Sequence, residues 1–113
     1  MHEIGIARNV IEAALSAVPE GGTLTAVTVA IGPLSAVVAD SLRFGFEVAS
    51  RGTAAEGADL EVVETPLIVH CDACGEDLEI NDPTLLRCPR CHGNVTVVSG
   101  SETLVTAVRY DEP

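Results

Sequence analysis

Four cysteines fall in two matched pairs, Cys71-x2-Cys74 and Cys88-x2-Cys91, with thirteen residues between the pairs. Each pair can bring two thiolates onto one ion, and two such pairs supply the four sulfurs of a structural zinc site. An ion held by four thiolates has no open coordination position, so this chemistry is structural rather than catalytic. Metal-binding free energy also becomes folding free energy, which accounts for how a segment with little apolar material folds. The competing reading, a redox CxxC, expects one pair near a helix start in a strand–helix unit, and two pairs in a turn-rich segment argue against it. Asn81-Asp82-Pro83 supplies a turn between the pairs, and residues 78–80 and 95–98 suit short strands of a zinc ribbon. His70 precedes Cys71 and His92 follows Cys91. Each is a candidate replacement ligand or hydrogen-bond donor to a cysteine sulfur, although adjacent residues are poorly placed to share one tetrahedral site.

A second donor set opens the chain. The α-amine of Met1, the backbone nitrogen and imidazole of His2, and the amide nitrogen of Glu3 can lie close to one plane. Four nitrogens in a square suit Ni(II) or Cu(II), not zinc. A bulky second residue also protects the initiator methionine from removal. The plain alternative makes His2 a surface histidine and Glu3 a first-turn acid that complements a helix dipole. Copper capture at the same nitrogens is chemically open as well, because Cu(II) outbinds Ni(II) at most nitrogen sites.

Composition narrows the partners. The chain has 113 residues, 47% of them hydrophobic and only 3% aromatic, so its core must be built from Val, Leu, Ile and Ala. Seventeen acids face six bases, all arginine, for a net charge of −11. Such a chain repels phosphate backbones. Residues 67–100 carry five acids, two arginines and no aromatic residue, so the cysteine segment offers neither a basic patch nor a stacking surface for nucleic acid. No apolar run approaches the ~20 residues of a membrane span. Glu3, Arg8, Asn9 and Glu12 exclude a signal-peptide core at the N-terminus. These features predict a cytoplasmic protein, where paired cysteines mean metal rather than disulfides.

The elements that must position these groups follow from periodicity. Ile4, Ala7, Ile11, Ala14, Leu15 and Val18 recur at helical spacing and predict a helix over residues 3–18, ended by Pro19 to Gly22. Residues 23–31 read as a strand with Val27, Val29 and Ile31 on one face. After Gly32-Pro33, a second helix is predicted over 35–50 with the stripe Val38, Leu42, Phe46 and Ala49. Gly45 inside it is either a weakness or a place of close backbone approach. Thr53-Ala54-Ala55-Glu56 has the pattern of a capping box and predicts one short helical turn. Residues 58–65 and 102–110 alternate as strands, the latter with Leu104, Thr106 and Val108 on one face. The expected fold is α+β: a small three-stranded sheet with two helices on one face, formed by residues 1–66 with 101–113, and an inserted zinc ribbon over 67–100.

This arrangement resembles the HypA/HybF family of nickel-insertion proteins for hydrogenase maturation, over essentially the full chain. The residues that carry the resemblance are Met1-His2-Glu3-Ile4, Ser41-Leu42-Arg43-Phe44-Gly45-Phe46-Glu47, Gly52-Thr53, Glu56-Gly57-Ala58-Asp59-Leu60, and the four cysteines with Cys88-Pro89-Arg90-Cys91. The resemblance implies a metallochaperone that binds nickel at Met1, His2 and Glu3 and holds a structural zinc in the cysteine ribbon. It implies a nickel-handling GTPase as partner and the large subunit of [NiFe]-hydrogenase as recipient, with urease supported by some members. Gly5 stands where many relatives have serine, and His92 where many have glycine. The chain has no phosphate loop, no lysine and no nucleophile–base pair, so no catalysis is expected and the energy source lies in a partner. The alternative from another class is an acidic zinc-ribbon adaptor that docks on a protein, with the N-terminal segment incidental.

Overall fold

A computed structural model describes residues 2–113, apart from the His2 side chain. Its order is α1 (His2–Ser16), β1 (Thr23–Ile31), a 3-10 turn (Pro33–Ser35), α2 (Ala39–Ser50), β2 (Asp59–Glu64), β3 (Leu67–Cys71), β4 (Glu76–Ile80), β5 (Val95–Ser99) and β6 (Thr103–Asp111). β1 lies between β2 and β6, parallel to the first and antiparallel to the second. β3 lies between β4 and β5 in a separate, antiparallel three-stranded sheet. No helix among the described residues is long and apolar enough to cross a membrane.

Both helices cover one face of the β2-β1-β6 sheet. Ala7, Val10, Ile11 and Ala14 of α1 and Leu42 and Phe46 of α2 bury against Leu24, Val27, Val29 and Ile31 of β1. Val27, Val29 and Leu42 are fully enclosed, and Leu60, Val62, Val105 and Val108 close the margins. Phe46 is the one aromatic residue among the buried core residues described, and the central strand is buried on both sides of its pleat, small Ala26 and Ala30 included.

Three sequence expectations need correction. The second helix does not run from residue 35. Pro33–Ser35 makes a single 3-10 turn that ends at Ala36 in the left-handed conformation (φ 61°), and α2 starts at Ala39 after Val38 in extended geometry. Gly32-Pro33 and the Ser35 hydroxyl, which donates to the Gly32 carbonyl (2.8 Å), favour the tight turn over the helix. The 53–56 segment is a turn, not a helical turn. The Ala55 amide donates to Thr53 Oγ1 (3.1 Å) and the Gly52 amide to Glu56 Oε1 (3.0 Å), so the capping groups bond within a loop. In β6 the strict alternation fails. The register with β1 shifts between Thr28 and Val29, so Thr106 is an extra residue. Val105 and Val108 therefore face the core, while Leu104 is left 58% exposed.

The second sheet is inserted between β2 and β6, and its two connections meet. A β-carbon on Gly32 would collide with the Gly100 carbonyl, whose oxygen accepts from the Leu34 amide (2.8 Å). The Gly32 amide in turn donates to the Glu102 carbonyl (2.9 Å). Thr65 Oγ1 donates to Glu102 Oε1 at 2.5 Å, and the Gly100 amide donates to Glu102 Oε2 at 3.3 Å. Leu34 then packs on the small core of the second sheet, formed by Leu67, Val69 and Ile80.

Gly32→Ala is expected to destabilise the protein by about 3 kcal/mol, because the added methyl meets rigid backbone; urea unfolding measures it. The Glu102 carboxyl is held below the ordinary range, first by the Thr65 hydroxyl and then, against some burial, by the Gly100 amide. A lowered folded-state value means the stabilisation is complete above the unfolded value and lost as pH falls through the folded one. Glu102→Gln should therefore lose stability at neutral pH and flatten the acid limb of the stability curve below about pH 4.

Candidate metal centre

The two cysteine pairs sit on equivalent turns. Cys71 ends β3, and the Gly75 amide donates back to the Cys71 carbonyl at 2.8 Å; the His92 amide donates to the Cys88 carbonyl at 2.9 Å. Gly75 (φ 71°) and His92 (φ 62°) occupy the same left-handed position, each directly after the second cysteine of its pair. The turns thus repeat one conformation, natural for glycine and strained for histidine. The first turn also donates the Cys74 amide to Cys71 Sγ (3.4 Å).

The sulfurs interleave. Cys71 Sγ lies 3.6 Å from Cys91 Sγ, and Cys74 Sγ lies 3.7 Å from Cys88 Sγ, so each turn's first cysteine meets the other turn's second. All four ligand atoms lie within 4.8 Å of one another, and all four thiols are free. An ion with zinc–sulfur bonds of about 2.3 Å needs tetrahedral sulfurs about 3.8 Å apart. The donor set and its spacing fit zinc. Cys71 and Cys88 are buried and Cys74 and Cys91 exposed, so the site lies at the surface end of the sheet.

The electrostatics of the four thiols show what the cluster demands. Cys88 is drawn down to about 6, led by the Cys91 backbone amide; burial opposes this, and the Arg90 amide and neighbouring thiols reinforce it. Cys74 is pushed up to about 12, led by its hydrogen bond with Cys88 and then those with Cys71 and Cys91. For Cys91, the Gly93 amide pulls downward, but Cys71 and Cys88 together outweigh it and the net direction is up. One thiolate is welcome here, and further negative charge requires a cation.

Neither flanking histidine belongs to the convergent ligand set. His70 alternates with Cys71 along β3 and faces the other side of the strand, opposite Asp77. Its Nδ1 bonds Asp77 Oδ1 at 2.7 Å, and its Nε2 lies 3.5 Å from Asp72 Oδ1. His92 is exposed, and its backbone rather than its ring explains its place. A brace that sequence reading did not find joins the turns: Arg90, inside the second pair, forms an ion pair with Glu76, which follows the first. The turn between the pairs is as expected, with Asp82 Oδ1 accepting from both the amide (3.0 Å) and the hydroxyl (2.6 Å) of Thr84.

Of the N-terminal set, Met1 and the His2 side chain lie outside the described residues. Glu3 lies in the first turn of α1 and is partly buried. That turn rests on α2, where a β-carbon at Gly45 would stand 3.1 Å from the Glu3 carbonyl oxygen. Of the two readings of Gly45, close backbone approach is the right one. Among the described residues, the four cysteines form the convergent metal-ligating group.

The family model described as hydrogenase/urease nickel incorporation, metallochaperone, HypA matches residues 1–110. A hydrogenase maturation factor HypA from Roseiflexus sp. (strain RS-1) is 41% identical, with 99% of this chain and 94% of that protein covered. One from Streptomyces avermitilis is 38% identical, with 99% and 88% covered. Among solved structures, the solution structure of the Ni metallochaperone HypA from Helicobacter pylori shares the fold with a TM-score of 0.68 at 20% identity, covering 94% of each chain.

His92→Gly should relieve the left-handed strain and stabilise the metal-loaded protein by about 1 kcal/mol, read as a raised thermal midpoint. Gly75→Ala at the matching position should do the reverse.

Proposed function

This chain belongs to the HypA family of nickel metallochaperones for hydrogenase maturation, and from that premise we propose that it binds Ni(II) at Met1, His2 and Glu3. It hands the ion, with a nickel-handling GTPase, to the large subunit of [NiFe]-hydrogenase in the cytoplasm. In this reading residues 1–66 with 101–113 carry the nickel and residues 67–100 form the ribbon. The observation that carries it is the family match beginning at residue 1, which places the Met1-His2-Glu3 segment within the family's own span.

The chemistry of the segment supports a carrier. An α-amine, an imidazole and two amide nitrogens form a square suited to Ni(II). α1 starts at His2, and the opening amides of a helix precede its hydrogen-bond ladder, so using them as ligands breaks no rung. Ligands from consecutive residues at a chain end can be replaced one at a time by an incoming partner. Because amides and imidazole must lose protons to bind, uptake falls as pH falls.

Cys71, Cys74, Cys88 and Cys91 would hold zinc, which supplies a cross-link between the two turns and the positive charge that the clustered thiolates require. With all four positions taken by sulfur, zinc leaves the nickel chemistry to the N-terminal segment. The net charge of −11 favours a partner with a basic docking face.

Untagged protein should bind one nickel with a square-planar absorption band and retain one zinc. His2→Ala, or an extension before Met1, should abolish the nickel band and lower affinity by at least about a hundredfold while zinc stays. Calorimetric titration and metal analysis of the three proteins make the test. Equal nickel binding by all three would end the N-terminal reading and favour the adaptor. Cys74→Ser should lose zinc and unfold the ribbon first.

A further inference from the structure

α2 meets the start of α1 at Gly45. Besides the Glu3 oxygen at 3.1 Å, a β-carbon on Gly45 would meet the Glu3 carbonyl carbon at 3.3 Å and the Ile4 Cα at 3.5 Å. All three are backbone atoms, so no flexible side-chain end can swing aside. Gly45 is buried in the middle of α2, between Leu42 and Phe46 of the core. Glycine is unfavourable at such a helical position relative to alanine, so α2 gives up stability there. Gly5, on α1 itself, makes the contrast: a β-carbon there has nothing within 4 Å.

We propose that Gly45 is a positioning residue for the nickel ligands. Its bare backbone lets residues 3 and 4 seat directly on α2, so Glu3, the last of the proposed ligand residues, is already held in place. Metal binding then does not have to order that turn. A side chain at position 45 lifts the opening turn of α1 off α2, and binding must order that turn as well, which lowers affinity without changing a ligand. The inference rests on the N-terminal nickel site proposed above.

The test compares Gly45→Ala, Gly45→Leu and Gly5→Ala with the unmodified, untagged chain and His2→Ala, using Ni(II) titration, the absorption band, zinc content and thermal unfolding. The expected result is graded. Gly45→Leu weakens nickel about tenfold, the equivalent of ordering about one further residue, and Gly45→Ala about threefold. Both keep zinc and an unshifted square-planar band, and Gly5→Ala stays within about twofold. Gly45→Ala also gains helix propensity, so its thermal midpoint should hold while nickel affinity falls, a split that a merely structural glycine would not produce. Unchanged affinity in the folded Gly45 variants, with nickel lost in His2→Ala, overturns the positioning role and leaves the N-terminal site standing. Full nickel binding by His2→Ala overturns both. If Gly45→Leu fails to fold, the Gly45→Ala split decides alone.

Discussion

Four sulfur atoms within 4.8 Å of one another cannot all be thiolates unless a cation sits among them. That constraint organises the second half of the chain. The buried apolar residues of its sheet are Leu67, Val69 and Ile80, too few to hold three short strands and the irregular segments between them by burial. The sulfurs replace the missing core. Their positions are fixed by two backbone turns of one conformation. The Arg90–Glu76 ion pair, the Asp82–Thr84 turn and the left-handed His92 all serve the geometry of that cluster.

The other half is held by ordinary means. Two amphipathic helices bury against a three-stranded sheet, and the aliphatic stripe of each helix meets the inner face of β1. The two halves are joined by backbone and side chains together: Gly32 against Gly100, the Glu102 carboxylate tying both connections, and Leu34 reaching across. This joint sets how the ribbon stands on the sheet.

Much of this was legible in the chain. The cysteine spacing gave the metal centre because ligand spacing is a local property, and β1 was legible to the residue because its composition is uniform. What escaped was long-range or conformational. The bulge that turns Leu104 outward depends on the register against Thr28 and Val29, which alternation along one strand cannot contain. The early start predicted for α2 ignored Ala36, an ordinary residue held in a left-handed conformation by the turn around it. His70 read as a neighbour of Cys71 in sequence, yet a strand places neighbours on opposite faces and gives its ring to Asp77. Gly45 is ambiguous in the sequence, and the partner helix resolves it.

The insertion point of the ribbon has a bearing on how the whole molecule assembles. β6 pairs with β1 along most of its length, but it follows β2 only after residues 65–102. Bringing the ends of so long an excursion together from a flexible chain costs roughly 3 kcal/mol in loop-closure entropy. In the folded ribbon, β3 and β5 pair so that Ile68 faces Ser99, and the excursion's two ends already lie side by side. The ribbon is therefore a bracket that shortens the search: once its sulfurs are gathered, the last strand is delivered to the edge of β1. The gathering of four sulfurs thereby sets the order in which the first sheet is completed.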